Sequence, residues 1–210
     1  MPRCSVVKPS FTAAQTEEAA AFILSHRKLL TFAEFAAGER DPADICVRHD
    51  IDHDIHWAWE FARWEYLRGI RSTYFVLPTA PYWGVAKEAV QAIAAFGHEV
   101  GVHNDALVAC QGDYAAALVK LREWADEIRS WDVDVHGVCD HGGAGWDNTS
   151  IWRTEGHDPS EAGFTYEAYL CHQQGANYIS DNRGMLRAPL ADVEGRQSHI
   201  LQHPCHWELP

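Results

Sequence analysis

Short runs rich in β-branched and aromatic residues alternate along this chain with segments whose apolar residues recur every three and four positions, and that alternation constrains the fold more than anything else. Residues 13 to 37 read as one or two helices, and Ile45 to His49 as a buried strand ending at Asp50. The spacing then predicts a helix from Asp54 to about Arg68, with Ile55, Ala58, Trp59, Ala62 and Tyr66 on one face and Gly69 after its end. Ser72 to Leu77 reads as the next strand, Ala86 to Phe96 as a short helix, and Glu99 to His103 as a third strand. A longer helix covers Asp113 to Ser130, a strand Val133 to Val138, and a modest helix Glu161 to Gln174. Ala176 to Ser180 and His199 to His203 complete the strands. Strands alternating with helices build a parallel sheet or barrel, and such folds place their ligand site at the carboxyl ends of the strands. Nothing resembling a linker divides the chain, so residues 1 to 210 read as a single domain.

Charge narrows the partners. A formal net charge of −13 argues against nucleic acid and anionic lipid and favours a neutral or cationic substrate, and the partner expected is a small-molecule or oligosaccharide substrate. No window of about 18 apolar residues occurs, which argues against membrane insertion, and Met1 to Ser10 lacks the apolar run of a signal peptide, so the expected location is the cytoplasm. Six cysteines are scattered without a Cys-x-x-Cys pair and read as free thiols.

The polar residues at the predicted strand ends are Asp50 and Asp52, His103, the pair Asp140 and His141, and His203. If the alternation holds, all converge on one rim. In an extended strand end Asp50 and Asp52 point to the same side, and two carboxylates together need a cation, a shared proton or solvent. Asp54 is better placed as the cap of the following helix. Carboxylate and imidazole ligands with open positions describe a hydrolytic metal site. The stretch from Asp140 to Ser160 is polar, glycine-rich and too long for an ordinary connection, the mark of a functional loop. It carries Trp146 and Trp152, whose flat faces suit stacking on sugar rings.

Three segments carry a family resemblance: Arg48-His49-Asp50-Ile51-Asp52, then Gly69 to Phe75, then Gly97-His98-Glu99-Val100-Gly101-Val102-His103. In order and spacing they resemble the polysaccharide deacetylase (NodB-like) family, in the branch whose first motif is His-Asp-Val-Asp; His199 to Pro204 is a weaker match to its last motif. The resemblance implies a distorted (β/α) barrel with fewer than eight strands, a divalent metal ion with zinc the first choice, and removal of an N-acetyl group from an amino sugar or sugar conjugate, such as a precursor of a surface polysaccharide. By motif position Asp50 would be the base acting on water, Asp52 and His103 metal ligands, and His203 the acid that protonates the leaving amine. His98 begins its strand, so its expected role is structural. His49 and His53 flank the carboxylates, and one of them is expected to orient Asp52 or cover the metal.

Two departures stand out. Four residues after His103, where most relatives carry a second histidine, this chain has Leu107, so the third ligand comes from His141, Asn104, Asp105 or water. His141 is preferred because it opens the long loop after a strand. The family's arginine motif is also missing, with Asp140-His141-Gly142-Gly143 in its place. Two other functions remain open: hydrolysis of a different C–N bond, such as a formamide or cyclic amide, and sugar binding without catalysis.

Overall fold

In the computed structural model, which describes residues 9–38, 41–142, 145–172, 177–181, 184–186 and 198–210, every strand pair is parallel. The chain begins with helix α1 (Ala13–Leu24), strand β1 (Lys28–Leu30) and helix α2 (Phe32–Ala36), so a short strand interrupts the predicted helical stretch. The following units are β2 (Asp44–Ile51) with α3 (Ile55–Tyr66), and β3 (Thr73–Val76) with α4 (Lys87–Ala95). Next come β4 (Glu99–Asn104) with α5 (Ala106–Ala109) and α6 (Tyr114–Arg129), and β5 (Val135–Asp140) with α7 (Ser150–Arg153). Strand β6 (Tyr166–Glu167), helix α8 (Ala168–His172) and strands β7 (Asn177–Ser180) and β8 (Ser198–Gln202) complete the set.

The strands lie in the order β6-β5-β4-β3-β2-β8-β7, with β1 beside β2. Followed from β2 through β6 and then from β7 to β8 and back to β2, this is chain order around a ring, and the two end strands, β6 and β7, mark the seam. A ring of seven parallel strands, each crossing over through helix or loop, is a (β/α) barrel left open along one line. Strand β1 pairs with β2 over Asp44 to Cys46, below the point where β3 takes up pairing at Arg48.

Alternation along the strands sorts the core. Tyr74, Val76, Val100, Val102 and Val138 turn outward against the helices, and Ile45, Val47 and Ile200 turn toward α1. Cys46, Phe75, Cys139 and Tyr166 turn inward. Helix α2 closes the floor. Its first backbone N–H groups donate to Thr73 Oγ1 (2.8 Å) and Glu99 Oε2 (3.1 Å), and the Phe32 ring lies 4.6 to 6.1 Å from those of His199, Tyr166 and Phe75. Two glycines make room for these rings. A β-carbon on Gly137 would fall 1.9 Å from Tyr166 Cζ, and one on Gly101 would fall 2.5 Å from Phe75 Cε1. Between them the register of β4 and β5 shifts, a bulge that places one extra residue on β5.

Three local expectations change. In α3 the buried face is Ile55, Ala58, Phe61, Ala62 and Glu65, while Tyr66 is exposed and stacks on Phe96. The predicted helix Glu161 to Gln174 is divided into a 3-10 turn, strand β6 and helix α8, because the barrel needs a strand there to cover the β5 edge. The strand before it ends at Asp140 rather than Val138. Asp54 caps α3 as expected, accepting from the N–H groups of His56 and Trp57 at 3.0 Å, worth about 1 kcal/mol.

Candidate functional site

Parallel pairing puts the ends of β2, β4, β5, β7 and β8 on one rim. Ile45 pairs with Ser198 and His49 with Gln202, so His203 emerges beside Asp50, and Asn104 pairs with Asp140, so His141 emerges beside Asp105 with its ring against that of His103. The His141 N–H donates to Asn104 O at 2.9 Å, seating the residue against β4.

Three side chains meet at the centre. Asp52, His103 and His141 each offer a donor atom, all within 4.8 Å of one another. His103 Nδ1 lies 2.8 Å from Cys139 O; a carbonyl only accepts, so Nδ1 carries the hydrogen and neutral His103 presents its Nε2 lone pair to the site. That Nε2 stands 3.3 Å from Asp52 Oδ1, a buried oxygen with no hydrogen-bond partner among the described residues. Two lone-pair atoms facing each other repel unless a cation lies between them. About 3.3 Å is also the edge of a tetrahedron whose metal–ligand bonds are about 2.0–2.1 Å, so these residues fit a divalent ion such as zinc. Burial pushes the Asp52 carboxyl up, but positive charge on the surrounding imidazoles, when they are protonated, outweighs it and holds the carboxyl well below its ordinary value.

Asp50 has a different partner. Arg48, two residues earlier on the same face of β2, donates from Nε and Nη2 to the two Asp50 oxygens at 2.9 and 2.8 Å, and both side chains are buried. Tyr169 of α8 lies over the guanidinium, 4.7 Å from ring centroid to Cζ, and its hydroxyl accepts from Nη2 at 3.0 Å. Burial alone would raise the Asp50 carboxyl; Arg48 reverses that and holds it below its ordinary value, so Asp50 is ionised at neutral pH. Its Oδ2 lies 3.6 Å from His103 Nε2.

His203 is held from behind by Asp181, the residue directly after β7. Asp181 Oδ1 accepts from His203 Nδ1 at 2.6 Å, and its Oδ2 accepts from the His203 backbone N–H at 2.8 Å and from Trp207 Nε1 at 2.7 Å. The ring therefore turns Nε2 toward the site, 3.7 Å from Asp52 Oδ2. Burial would lower the imidazole, but Asp181, with Asp50 and Asp52 adding, lifts it to about 9; Asp181 itself, raised by burial, is held down to about 2 by His203 and His206.

The remaining sequence candidates divide. Leu107 is fully buried in the core, as an apolar side chain at that position should be. Asn104 is used at both ends, donating to Asp140 Oδ1 at 2.6 Å and accepting from the Ala106 N–H at 2.9 Å. Trp152, read as a sugar platform, is a correction: it is only 4% exposed, its face lies in the core, and its indole N–H donates to Asp140 Oδ1 at 3.0 Å. Trp146 is 47% exposed and lies against Gly112, leaving a ring face at the surface. Residues 143 and 144 of the same loop lie outside the described residues. His49 does not reach the site, because alternation turns it outward to Glu65 and the Tyr74 ring, and His53 is exposed. His98 is buried at the far end of β4, its Nε2 donating to Ala62 O at 3.0 Å.

Arg48 and Asp181 are the functional candidates that the sequence reading left without a role. Both had a signal: Arg48 stands at the i, i+2 spacing that puts strand residues on one face, and Asp181 stands at a strand's carboxyl end, like every other member of the site.

No family model matches the chain, and no curated protein matches it. Among solved structures the chain is similar to a family 4 carbohydrate esterase from Bacillus anthracis, at 16% identity over 83% of this chain and 77% of that one, with a TM-score of 0.48. A variant of the peptidoglycan deacetylase PdaC from Bacillus subtilis is similar at 15% identity over 78% and 77%, with a TM-score of 0.49. A chitin deacetylase from the fungus Colletotrichum lindemuthianum is similar at 17% identity over 77% and 74%, with a TM-score of 0.42.

Proposed function

We propose that this protein is a metal-dependent hydrolase that removes an acyl group, N-acetyl foremost, from an amino sugar or sugar conjugate. The observation that carries this reading is the placement of a cation-demanding cluster, Asp52, His103 and His141, between a carboxylate held ionised by Arg48 and an imidazole held protonated by Asp181. Amide hydrolysis needs those three functions together. Asp52, His103 and His141 would hold the metal, which when bound supplies a Lewis acid for the acyl oxygen and its incoming water. Asp50 accepts the proton of the attacking water through a free lone pair, while Arg48 fixes its orientation. His203 Nε2 delivers a proton to the departing nitrogen, so the amine leaves neutral. The acidic surface suits a neutral or cationic sugar, and the exposed face of Trp146 offers a place to stack one.

Two measurements test this together. Asp52→Ala and His103→Ala should purify with little zinc by elemental analysis yet keep the far-UV dichroism of the parent, because ligands at strand ends serve the site more than the core. Asp50→Asn should keep its zinc and lose about two to four powers of ten in acetate release from N-acetylglucosamine oligomers. Full zinc in the first two variants rejects the ligands, loss of zinc in the third exchanges the roles of the carboxylates, and a zinc-loaded parent inert on every N-acylated amino sugar rejects the function.

A further inference from the structure

We infer that Asp105 is the positioning residue for His141, selecting the ring orientation that turns Nε2 toward Asp52 and His103; this rests on the reading of His141 as a metal ligand. Asp105 follows β4 directly and its side chain is only 13% exposed. One oxygen, Oδ2, accepts from Thr79 Oγ1 at 3.1 Å. The other, Oδ1, accepts from Asn148 Nδ2 at 3.2 Å and lies 3.5 Å from His141 Nδ1. Asn148 is itself buried and locked, its Nδ2 also donating to His141 O at 3.1 Å and its Oδ1 accepting from the Leu107 N–H at 3.1 Å. The carboxylate is therefore fixed from the β3 end, from β4 and from the loop after β5, and cannot swing away.

His141 has less to hold it. Its backbone is tied to Asn104 and its ring meets that of His103 edge to face, 5.0 Å between centroids. Rotation about the last side-chain bond would exchange the edges of the imidazole at little steric cost. Nδ1 is buried and has no hydrogen bond among the described residues; what faces it is the Asp105 carboxylate at ion-pair distance. A carboxylate there favours the tautomer with the hydrogen on Nδ1, which leaves the lone pair on Nε2. Asn148 extends the same device to the backbone, since it holds Asp105 and the His141 carbonyl at once.

The test is zinc affinity, measured by competition with a chelating dye, for the parent, Asp105→Ala, Asp105→Asn, His141→Ala and the Asp105→Ala/His141→Ala double variant. Asp105→Ala should bind zinc about 10- to 100-fold more weakly. Asp105→Asn, which keeps an acceptor oxygen, should lose less, and its cobalt-substituted form should show a shifted visible band. The double variant should bind as His141→Ala does, within about twofold, because a residue that acts through His141 has nothing left to act on. Multiplied losses in the double variant would overturn the inference, and so would parental affinity in Asp105→Ala. If Asp105→Ala does not fold, Asp105→Asn carries the comparison, and parental affinity with an unshifted cobalt band overturns it. Unchanged zinc affinity in His141→Ala would instead remove His141 from the ligands, whereas weakened binding there with none in Asp105→Ala removes Asp105 alone.

Discussion

Asp50 and Asp52 are two residues apart on one strand end and have opposite surroundings. Arg48 occupies both oxygens of the first, and the second is left with a buried oxygen facing an imidazole lone pair. That difference supports the proposed assignment of Asp50 as base and Asp52 as ligand independently of position in a motif. The same reasoning applies to His203, whose Asp181 partner raises its imidazole and so supports the proposed role of proton donor. His203→Ala should therefore depress turnover on an amide by about two powers of ten or more, and on an activated ester of the same acyl group far less, because that leaving group needs little protonation. Equal losses on both substrates would leave His203 as a binding or packing residue.

At the scale of elements, the strands are held together by buried polar contacts as well as by their ladders. Glu65 of α3 accepts from His49 Nε2 at 2.9 Å, Ser72 Oγ at 2.7 Å and the Tyr74 hydroxyl at 2.8 Å, which ties the helix to β2 and β3. Burial would raise its carboxyl, but His49 and the other donors hold it below its ordinary value of 4.5. A carboxyl depressed in the folded state binds fewer protons there than in the unfolded chain, so its contribution is present above about pH 4.5 and is lost as the pH falls. Glu65→Gln should cost about 3 kcal/mol at neutral pH, from charge-assisted bonds of about 1.5–3 kcal/mol each, and should flatten the acid limb of stability followed by urea titration. A variant as acid-sensitive as the parent would show that the limb belongs to other carboxylates. Gly137 gives a second test of element packing. A methyl group there collides with the buried Tyr166 ring, so Gly137→Ala should lose about 3 kcal/mol and roughly 6–12 °C of melting temperature. An unchanged melt would mean that the Tyr166 ring moves freely inside the barrel.

Across the whole molecule, the site gathers the strand ends of the ring. Its residues come from β2, β4, β5, β7 and β8, on both sides of the open seam between β6 and β7. An ion held as proposed by Asp52, His103 and His141 would join three of those strand ends, and binding to the folded state alone would stabilise it by about 2.7 kcal/mol at a free concentration one hundred times Kd. Chelation should therefore lower the melting temperature by about 5–10 °C, with recovery on adding zinc, and the response should vanish in Asp52→Ala. A chelator-insensitive melt would argue against a resident ion. No helix among the described residues is long and apolar enough to cross a membrane.

The local elements, and half of the site, were legible from the sequence for one reason: each is written in short-range periodicity. Alternation within β2 puts Arg48, Asp50 and the turn to Asp52 at one strand end, the three-four spacing marks α3, α4 and α6, and polar residues at strand ends locate the rim. Strand β6 escaped because two residues carry no period, and the Trp152 face escaped because burial depends on what the loop packs against. Pairing across the barrel was decided only in three dimensions. That Asp181 reaches His203 across 22 residues, and that Asp105 stands behind His141 across 36, depends on how parallel register aligns one strand end with the next. Such contacts are set by ring closure and strand order, which no single segment encodes, so the sequence determined which side chains stand at the rim and the tertiary structure decided which of them act on one another.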